Sequence, residues 1–129
     1  MSALRFRVLP GEFAVSRLPR ELTVPAQPAH SFHCELFSGG WRTLYGLAQH
    51  APPVGAQIQV ESGWALLELD GSFAFDVVGV MARWTAPLAH AGIALMALSS
   101  FDTDYLLVKH TRLADALAAW SADGIHPLD

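Results

Sequence analysis

The residues best suited to chemistry lie in one stretch, SSFDTDYLLV, from Ser99 to Val108. Two carboxylates, Asp102 and Asp104, flank a threonine and are followed by an apolar run that is typical of a β-strand. A turn between two strands favours Asp for structural reasons alone. The same carboxylates could also attract a cation and form one wall of a site. Both interpretations are open at this point.

A helical pattern precedes this stretch. Asp76 can cap a helix, and Gly92 can end it by adopting a positive φ. Between them, apolar residues recur at steps of three and four. These are Val77, Val80, Met81, Trp84, Leu88 and Ala91. Gly79 falls inside this predicted helix, where replacing glycine normally stabilises. A second helix is predicted after Thr111 as its cap.

Strands are predicted at 64–70, 93–99 and 105–109, giving the order β-α-β-β-α over residues 63–122. The run IALMALS is apolar on both faces and is therefore expected to be a central strand. A right-handed β-α-β crossover would make the first two strands parallel. Their C-terminal ends would then lie at one edge of the sheet, and the loop GSFAFD would meet the turn SFDTD.

That meeting would place an anion-attracting group beside a cation-attracting one. The free N–H groups and the dipole at a helix N-terminus attract anions, and the Asp carboxylates attract cations. The zwitterionic head of a free amino acid fits this combination.

The first half of the chain is predicted to consist of short strands. LRFRVLPGEFAVSRL alternates on both sides of Pro10-Gly11, which predicts a β-hairpin. SFHCELF and RTLYGLA are two further strands, separated by Ser38-Gly39-Gly40. The proline-rich residues 19–30 and the segment QHAPPVGA are connecting loops.

Several of these stretches resemble the ACT domain, in particular the tandem ACT-like bacterial proteins related to CASTOR-type arginine sensors. The run SSFDTDY (99–105) is similar to the family pattern Ser-Thr-Phe/Tyr-x-Thr-Asp-Tyr. Gly79 and PLAHAGI (87–93) match the opening and the end of the family's first helix, and RFRVLPGEFAVSRLP is similar to its N-terminal half. The resemblance covers residues 4–19 and 63–122.

The resemblance implies an α+β, ferredoxin-like fold with two ACT-like halves, antiparallel sheets and helices on one face. Residues 1–60 would form the N-terminal half, mostly strands, and residues 61–129 the C-terminal ACT half. A complete ACT fold needs a final strand that 63–122 lacks, and the N-terminal hairpin could donate it.

The resemblance to the ACT family also implies a regulatory protein that binds a small molecule, usually an amino acid, without catalysis or a cofactor. Of the two carboxylates, Asp104 is expected in the site and Asp102 outside it. Carried over by position, the ligand-binding residues are Phe73, Ala74, Asp76, Val77, Val78, Gly79, Val80, Ser100, Phe101 and Asp104.

Other functions are less well supported by the sequence. The main alternative is a ligand-free interaction or dimerisation module, and a small enzyme comes third. His30, His33 and Cys34 lie close together, but the two histidines would point to opposite faces of a strand. No second cluster completes a four-ligand set, so no metal site is predicted.

The composition limits the classes of protein to which this chain can belong. The chain has 129 residues, 52% hydrophobic and 16% charged, with a net charge of −4. It is long enough for one domain or two small halves. The lack of Lys and Arg runs excludes nucleic-acid binding, and no apolar run reaches the roughly 20 residues of a membrane span. Cys34 alone cannot form an internal disulfide, so a cytoplasmic location is expected. A homodimer is expected because little charge protects the edge strands.

Overall fold

The structure is a computed structural model that describes residues 4–71 and 78–128. These residues form eight strands and two α-helices, an α+β fold as predicted. The strands are β1 (Arg5–Val8), β2 (Phe13–Pro19), β3 (His33–Ser38), β4 (Trp41–Leu47), β5 (Gln59–Leu69), β6 (Met96–Ser99), β7 (Asp104–Lys109) and β8 (His126–Pro127), and the helices are α1 (Val80–His90) and α2 (Leu113–Ala122).

The chain divides into two compact units. Residues 11–64 form the first, and the remaining described residues form the second. Strand β5 contributes to both, because its residues 59–64 belong to the first unit and 65–69 to the second.

In the first unit the strand order is β3-β4-β2-β5, and each neighbouring pair is antiparallel. This is the ferredoxin-like order, with the third strand between the first and the second. Residues 20–32 and 48–58 connect strands where that fold normally has helices, and they contain only a short 3-10 turn at Ala48–His50. Prolines at positions 25, 28, 52 and 53 explain this, since proline lacks the N–H that a helix interior requires.

In the second unit the strand order is β6-β7-β5-β1-β8. Helices α1 and α2 pack on one face, over a core formed by alternate strand residues. The core consists of Leu4, Phe6, Ala65, Leu67, Leu69, Val80, Trp84, Leu88, Ile93, Leu106, Val108, Ala116, Trp120 and Ile125. Trp84 and Trp120 stack at the helix–helix contact, with ring centroids 6.1 Å apart. Neither helix is long and apolar enough to cross a lipid bilayer.

The predicted N-terminal hairpin is wrong. Strands β1 and β2 do not pair with each other; each pairs antiparallel with β5. Because β5 is 11 residues long, it offers partners to both strands in succession. The backbone N–H of Leu9 also donates to the carbonyl of Leu66, at 2.9 Å.

The N-terminal segment supplies the strand next to β5, at the place of the fourth strand in a ferredoxin-like sheet, and a short strand from the end of the chain pairs with it. Gly124, at φ +75°, reverses the chain after α2, and β8 follows. Strand β8 pairs in parallel with β1, which itself lies between β5 and β8. The N-terminal strand is therefore inserted into the sheet next to the final strand.

The run IALMALS does not form a central strand. Its first apolar residue, Ile93, is buried in the core beside the end of α1, where its N–H donates to Leu88 O at 2.9 Å. Strand β6 begins only at Met96 and pairs with β7 alone among the described residues. Strands β5 and β6 are therefore not neighbours, because β7 lies between them.

Two predicted helix caps are also wrong. Helix α1 begins at Val80 with Gly79 as its N-cap, so Asp76 does not hold that position, and Asp76 itself lies outside the described residues. Helix α2 has Arg112, not Thr111, at its N-cap, after a 3-10 turn that absorbs the threonine. The predicted end of α1 is confirmed, since Gly92 adopts φ +71°.

Candidate functional site

The turn between β6 and β7 is organised by Ser100. Its Oγ accepts hydrogen bonds from the backbone N–H groups of Asp102, at 3.3 Å, and Thr103, at 3.1 Å. The hydroxyl donates to Thr103 O at 3.0 Å, and the Ser100 N–H donates to the same oxygen at 2.9 Å. Serine hydroxyls commonly close turns in this way. The Ser100 hydroxyl is thus already committed within the turn.

The two carboxylates of the turn have different surroundings. Asp104 is half-buried and accepts a hydrogen bond from the hydroxyl of Ser99, its partner in the β6–β7 register, at 2.7 Å. The second oxygen of Asp104 has no partner within residues 4–71 and 78–128. Asp102 is exposed, and within the part of the chain that the structure describes only its backbone N–H takes part in a hydrogen bond. Asp104 is therefore the carboxylate of the turn that the fold holds in place, with one of its oxygens unpaired among the described residues.

Alternation along β7 tells us which side of the sheet Asp104 faces. Leu106 and Val108 lie in the core beneath the helices. Because Asp104 is two residues before Leu106, it belongs to the same, helix-covered face. Tyr105 belongs to the opposite face.

The turn contacts the end of β5 through one hydrogen bond, whereas most of the loop GSFAFD, which was predicted to meet the turn, lies outside the described residues. Thr103 Oγ1 donates to the carbonyl oxygen of Leu69, the last residue of β5, at 2.9 Å. The residue that makes this contact was not predicted, although it lies between the two aspartates that drew attention. Its partner is a backbone atom, which no pattern of side chains marks in the sequence.

The loss of this hydroxyl gives a direct test of the contact. We expect Thr103→Val to lower the free energy of unfolding by about 1 kcal/mol, because Leu69 O loses its donor while the side chain keeps its shape. Chemical denaturation measures the change. Thr111→Val, at an exposed position, is the control and should change stability by less than about 0.5 kcal/mol. Equal effects of both substitutions would show that the Thr103 contact contributes nothing.

The start of α1 is the second wall of the candidate site. Gly79 is its N-cap in the left-handed region, at φ +81°, and no side chain of a described residue caps the helix. The first intrahelical bond runs from Arg83 N to Gly79 O, at 2.9 Å. The N–H groups before it are the ones that a helix leaves without an intrahelical acceptor, and they favour an anion.

Gly79 is required by backbone conformation rather than by packing. A Cβ at this position would meet no described atom within 4 Å, but a φ of +81° is unfavourable for any other residue. We therefore expect Gly79→Ala to lower the free energy of unfolding by about 1–2 kcal/mol, the opposite of the gain expected for a helix interior. Thermal and chemical denaturation measure this.

Gly40→Ala is the matched control. Gly40 also has open space around its Cβ position, but its φ is not positive. This substitution should change stability by no more than about 0.5 kcal/mol. A neutral or stabilising Gly79→Ala would show that the left-handed N-cap is not needed.

A charged network lies on the helix-free face of the same sheet. Arg7 donates to Glu68 Oε1 and to Asp70 Oδ1, each at 3.0 Å. Burial raises the pKa of Tyr105 above its ordinary value, and its hydrogen bond to Glu68 raises this pKa further. These groups satisfy one another and lie on the other side of the sheet from Asp104. The sequence did not single out this network, because its four members come from three distant segments of the chain.

The predicted site residues fall into two groups. Val78, Gly79, Val80, Ser100, Phe101 and Asp104 are described, and Phe73, Ala74, Asp76 and Val77 lie outside the described residues. Val78 and Phe101 are both exposed, with relative exposures of 82% and 78%. Val80 is buried in the core. Among the described residues, no group of three or more His, Cys, Asp or Glu side chains is arranged to hold a metal ion.

Comparison with known proteins agrees with this geometry. Residues 59–120 match the family model described as ACT domain. The fold is the ferredoxin-like fold of ACT domains. The comparison with curated proteins found no match.

Solved structures share this ACT-type fold over nearly the whole chain. A crystal structure of an Agobacterium tumefaciens protein matches with a TM-score of 0.86 and 25% identity, covering 99% of this chain and 94% of that one. A Vibrio cholerae protein of unknown function has a TM-score of 0.61 and 19% identity, covering 93% and 89%. The ligand-free regulatory subunit of aspartate kinase from Thermus thermophilus has a TM-score of 0.61 and 11% identity, covering 94% and 96%.

Proposed function

We propose that this chain is a non-catalytic regulatory protein that binds a free amino acid or a similar small metabolite. The ligand carboxylate would lie at the uncapped start of α1, and its ammonium group would pair with Asp104. The observation that carries the proposal is the state of Asp104: one oxygen is held by Ser99 at 2.7 Å, and the other is left without a partner among the described residues.

Two features support the placement of the ligand. Asp104 belongs to the helix-covered face of the sheet, the side on which α1 lies. The turn that carries it is bonded through Thr103 to the end of β5, from which the chain continues toward α1. A carboxylate fixed at the start of a strand is a better ligand-binding group than one on a mobile loop.

The comparisons support the regulatory part of the proposal. The ACT family match and the likeness to a regulatory subunit of aspartate kinase both suggest regulation by a small ligand. We also propose that the two compact units correspond to two ACT-like halves, because residues 11–64 have the ferredoxin-like strand order without its helices. The division at residue 60, the relation to CASTOR-type sensors and the cytoplasmic location stay predictions.

A panel of free amino acids tests the proposal. A ligand present at one hundred times its Kd should stabilise the protein by about 2.7 kcal/mol, an increase in Tm of about 10 °C. The best ligand is then compared with its N-acetyl and its carboxamide derivatives. A site for a zwitterion should lose binding with either derivative, because each removes one charge. A ligand that binds equally well after both changes would contradict the proposed site.

The second candidate function is a ligand-free interaction module. Strands β3 and β6 each pair on one side only within the described residues, and Val78 and Phe101 expose apolar surface. Such edges pair readily with another chain. We expect a homodimer in either case. Sedimentation that gives a 14.0 kDa monomer at micromolar concentration would contradict the dimer, and the absence of any stabilising amino acid would favour the module.

A further inference from the structure

The loops that take the place of helices in the first unit border a small, partly open cavity, in which a few polar groups lie among apolar side chains. Its volume is about 10 Å³, which holds one water molecule or one metal ion and excludes a metabolite. Ser16, His33 and Gly46 line it from the strands, and Gln27 and His50 line it from the loops. The cavity is separate from the residues proposed to bind the amino acid, and an occupant of this cavity would be independent of that function.

His33 presents an electron pair to this cavity. Its Nε2 lies 3.5 Å from Glu35 Oε2, and the neutral tautomer that carries its proton on Nε2 turns that proton toward the carboxylate. The other ring nitrogen, Nδ1, is buried and has no partner among the described residues. A carboxylate behind an imidazole is the arrangement that orients metal-binding histidines.

Gln27 and His50 supply two further electron pairs. Gln27 Nε2 donates to the His50 carbonyl oxygen at 3.4 Å, which leaves its Oε1 free to face the cavity. Gln27 Oε1 and His33 Nδ1 lie 3.5 Å and 3.7 Å from the point where a Cβ of residue 46 would be, and Gly46 leaves that space open. His50 Nδ1 is buried and is also without a partner in the described part of the chain.

We propose that His33 Nδ1, His50 Nδ1 and Gln27 Oε1 bind one divalent transition-metal cation. Two imidazole nitrogens with one amide oxygen are a borderline ligand set that suits Zn²⁺, Ni²⁺ or Cu²⁺. Mg²⁺ and Ca²⁺ prefer oxygen ligands and are disfavoured. The bound ion would join the 48–58 loop to β3 and so stabilise a unit that lacks the helices of its fold.

Calorimetric titration of the chelator-treated, untagged protein with ZnCl₂ tests the proposal. We expect one equivalent to bind per chain, with a rise in Tm. His33→Ala and His50→Ala should each weaken binding by about tenfold or more. His30→Ala and His110→Ala are matched controls at exposed positions and should leave the Kd within about twofold. The absence of saturable binding, or equal binding by all four variants, would overturn the site and leave a single water as its occupant.

Two measurements keep the test valid if the alanine variants do not fold. Glu35→Gln leaves all three ligands in place but weakens the orienting bond to His33, and binding should fall about tenfold. In the wild-type protein, ¹⁵N NMR should show zinc-dependent shifts at Nδ1 of the two histidines. Shifts at Nε2, or at other histidines only, would overturn the assignment.

Discussion

Replacing Asp104 with alanine should weaken amino-acid binding by about tenfold or more, because a charge-assisted bond to an ammonium group is worth roughly 1.5–3 kcal/mol. Asp102→Ala should leave the affinity within about twofold, since that carboxylate is exposed and only its backbone takes part in the turn. Isothermal titration with the best ligand of the panel measures both. The two substitutions remove the same group two residues apart, so each controls for the change in net charge made by the other.

Asp104→Asn separates the charge from the fold of the turn. The amide oxygen can still accept the hydrogen bond from Ser99, so stability should change little while binding falls. If Asp102→Ala weakens binding as much as Asp104→Ala does, or if Asp104→Asn binds as tightly as the wild type, the ligand ammonium does not pair with Asp104.

Trp120→Ala should lower the free energy of unfolding by about 3–5 kcal/mol. Its side chain is fully buried, and its ring lies 4.7 Å from that of Phe6 and 6.1 Å from that of Trp84, centroid to centroid. Its Nε1 also donates to Trp84 O at 2.7 Å, so the substitution also removes a buried hydrogen bond between the two helices. Denaturant unfolding followed by circular dichroism measures the loss.

Two further variants are compared with Trp120→Ala: one at an exposed tryptophan, and one that removes only part of the Trp120 side chain. Trp41→Ala removes an exposed tryptophan whose main contact is a stacked Arg17, and it should cost less than about 1 kcal/mol. Trp120→Phe keeps most of the apolar volume but not the N–H, and its cost should lie between the two. If Trp120→Ala costs no more than Trp41→Ala, the contact between α1, α2 and β1 does not hold the second unit together.

Local patterns predicted most of the elements. Gly39, after Ser38, and Gly92 mark the β3–β4 turn and the end of α1, since both adopt positive φ. The three- and four-residue spacing from Val80 to Leu88 predicted the buried face of α1. Such signals depend on a few neighbouring residues, and so they can be read without a tertiary structure.

Helix starts were predicted less well, because they do not depend on neighbouring residues alone. A side chain that can cap a helix is present at Asp76 and at Thr111, but the N-caps are Gly79 and Arg112 instead. Where a helix begins depends on how far the preceding segment must travel before it packs on the sheet. That distance is a tertiary property.

The sequence by itself determined the α+β class, the alternation of strands and helices after residue 63, and the likeness of the turn before YLLV to that of ACT domains. Only the tertiary structure decided which strands pair. Both β1 and β2 pair with β5, 42 to 63 residues later in the chain, instead of with each other.

The tertiary structure alone also brought His50 and Gln27 to His33, and Thr103 to the carbonyl of Leu69. Spacing along the chain reports only on contacts within one helix turn or one strand. Contacts between distant segments depend on long-range packing, because several strands offer backbone N–H and C=O groups with which a given strand could pair.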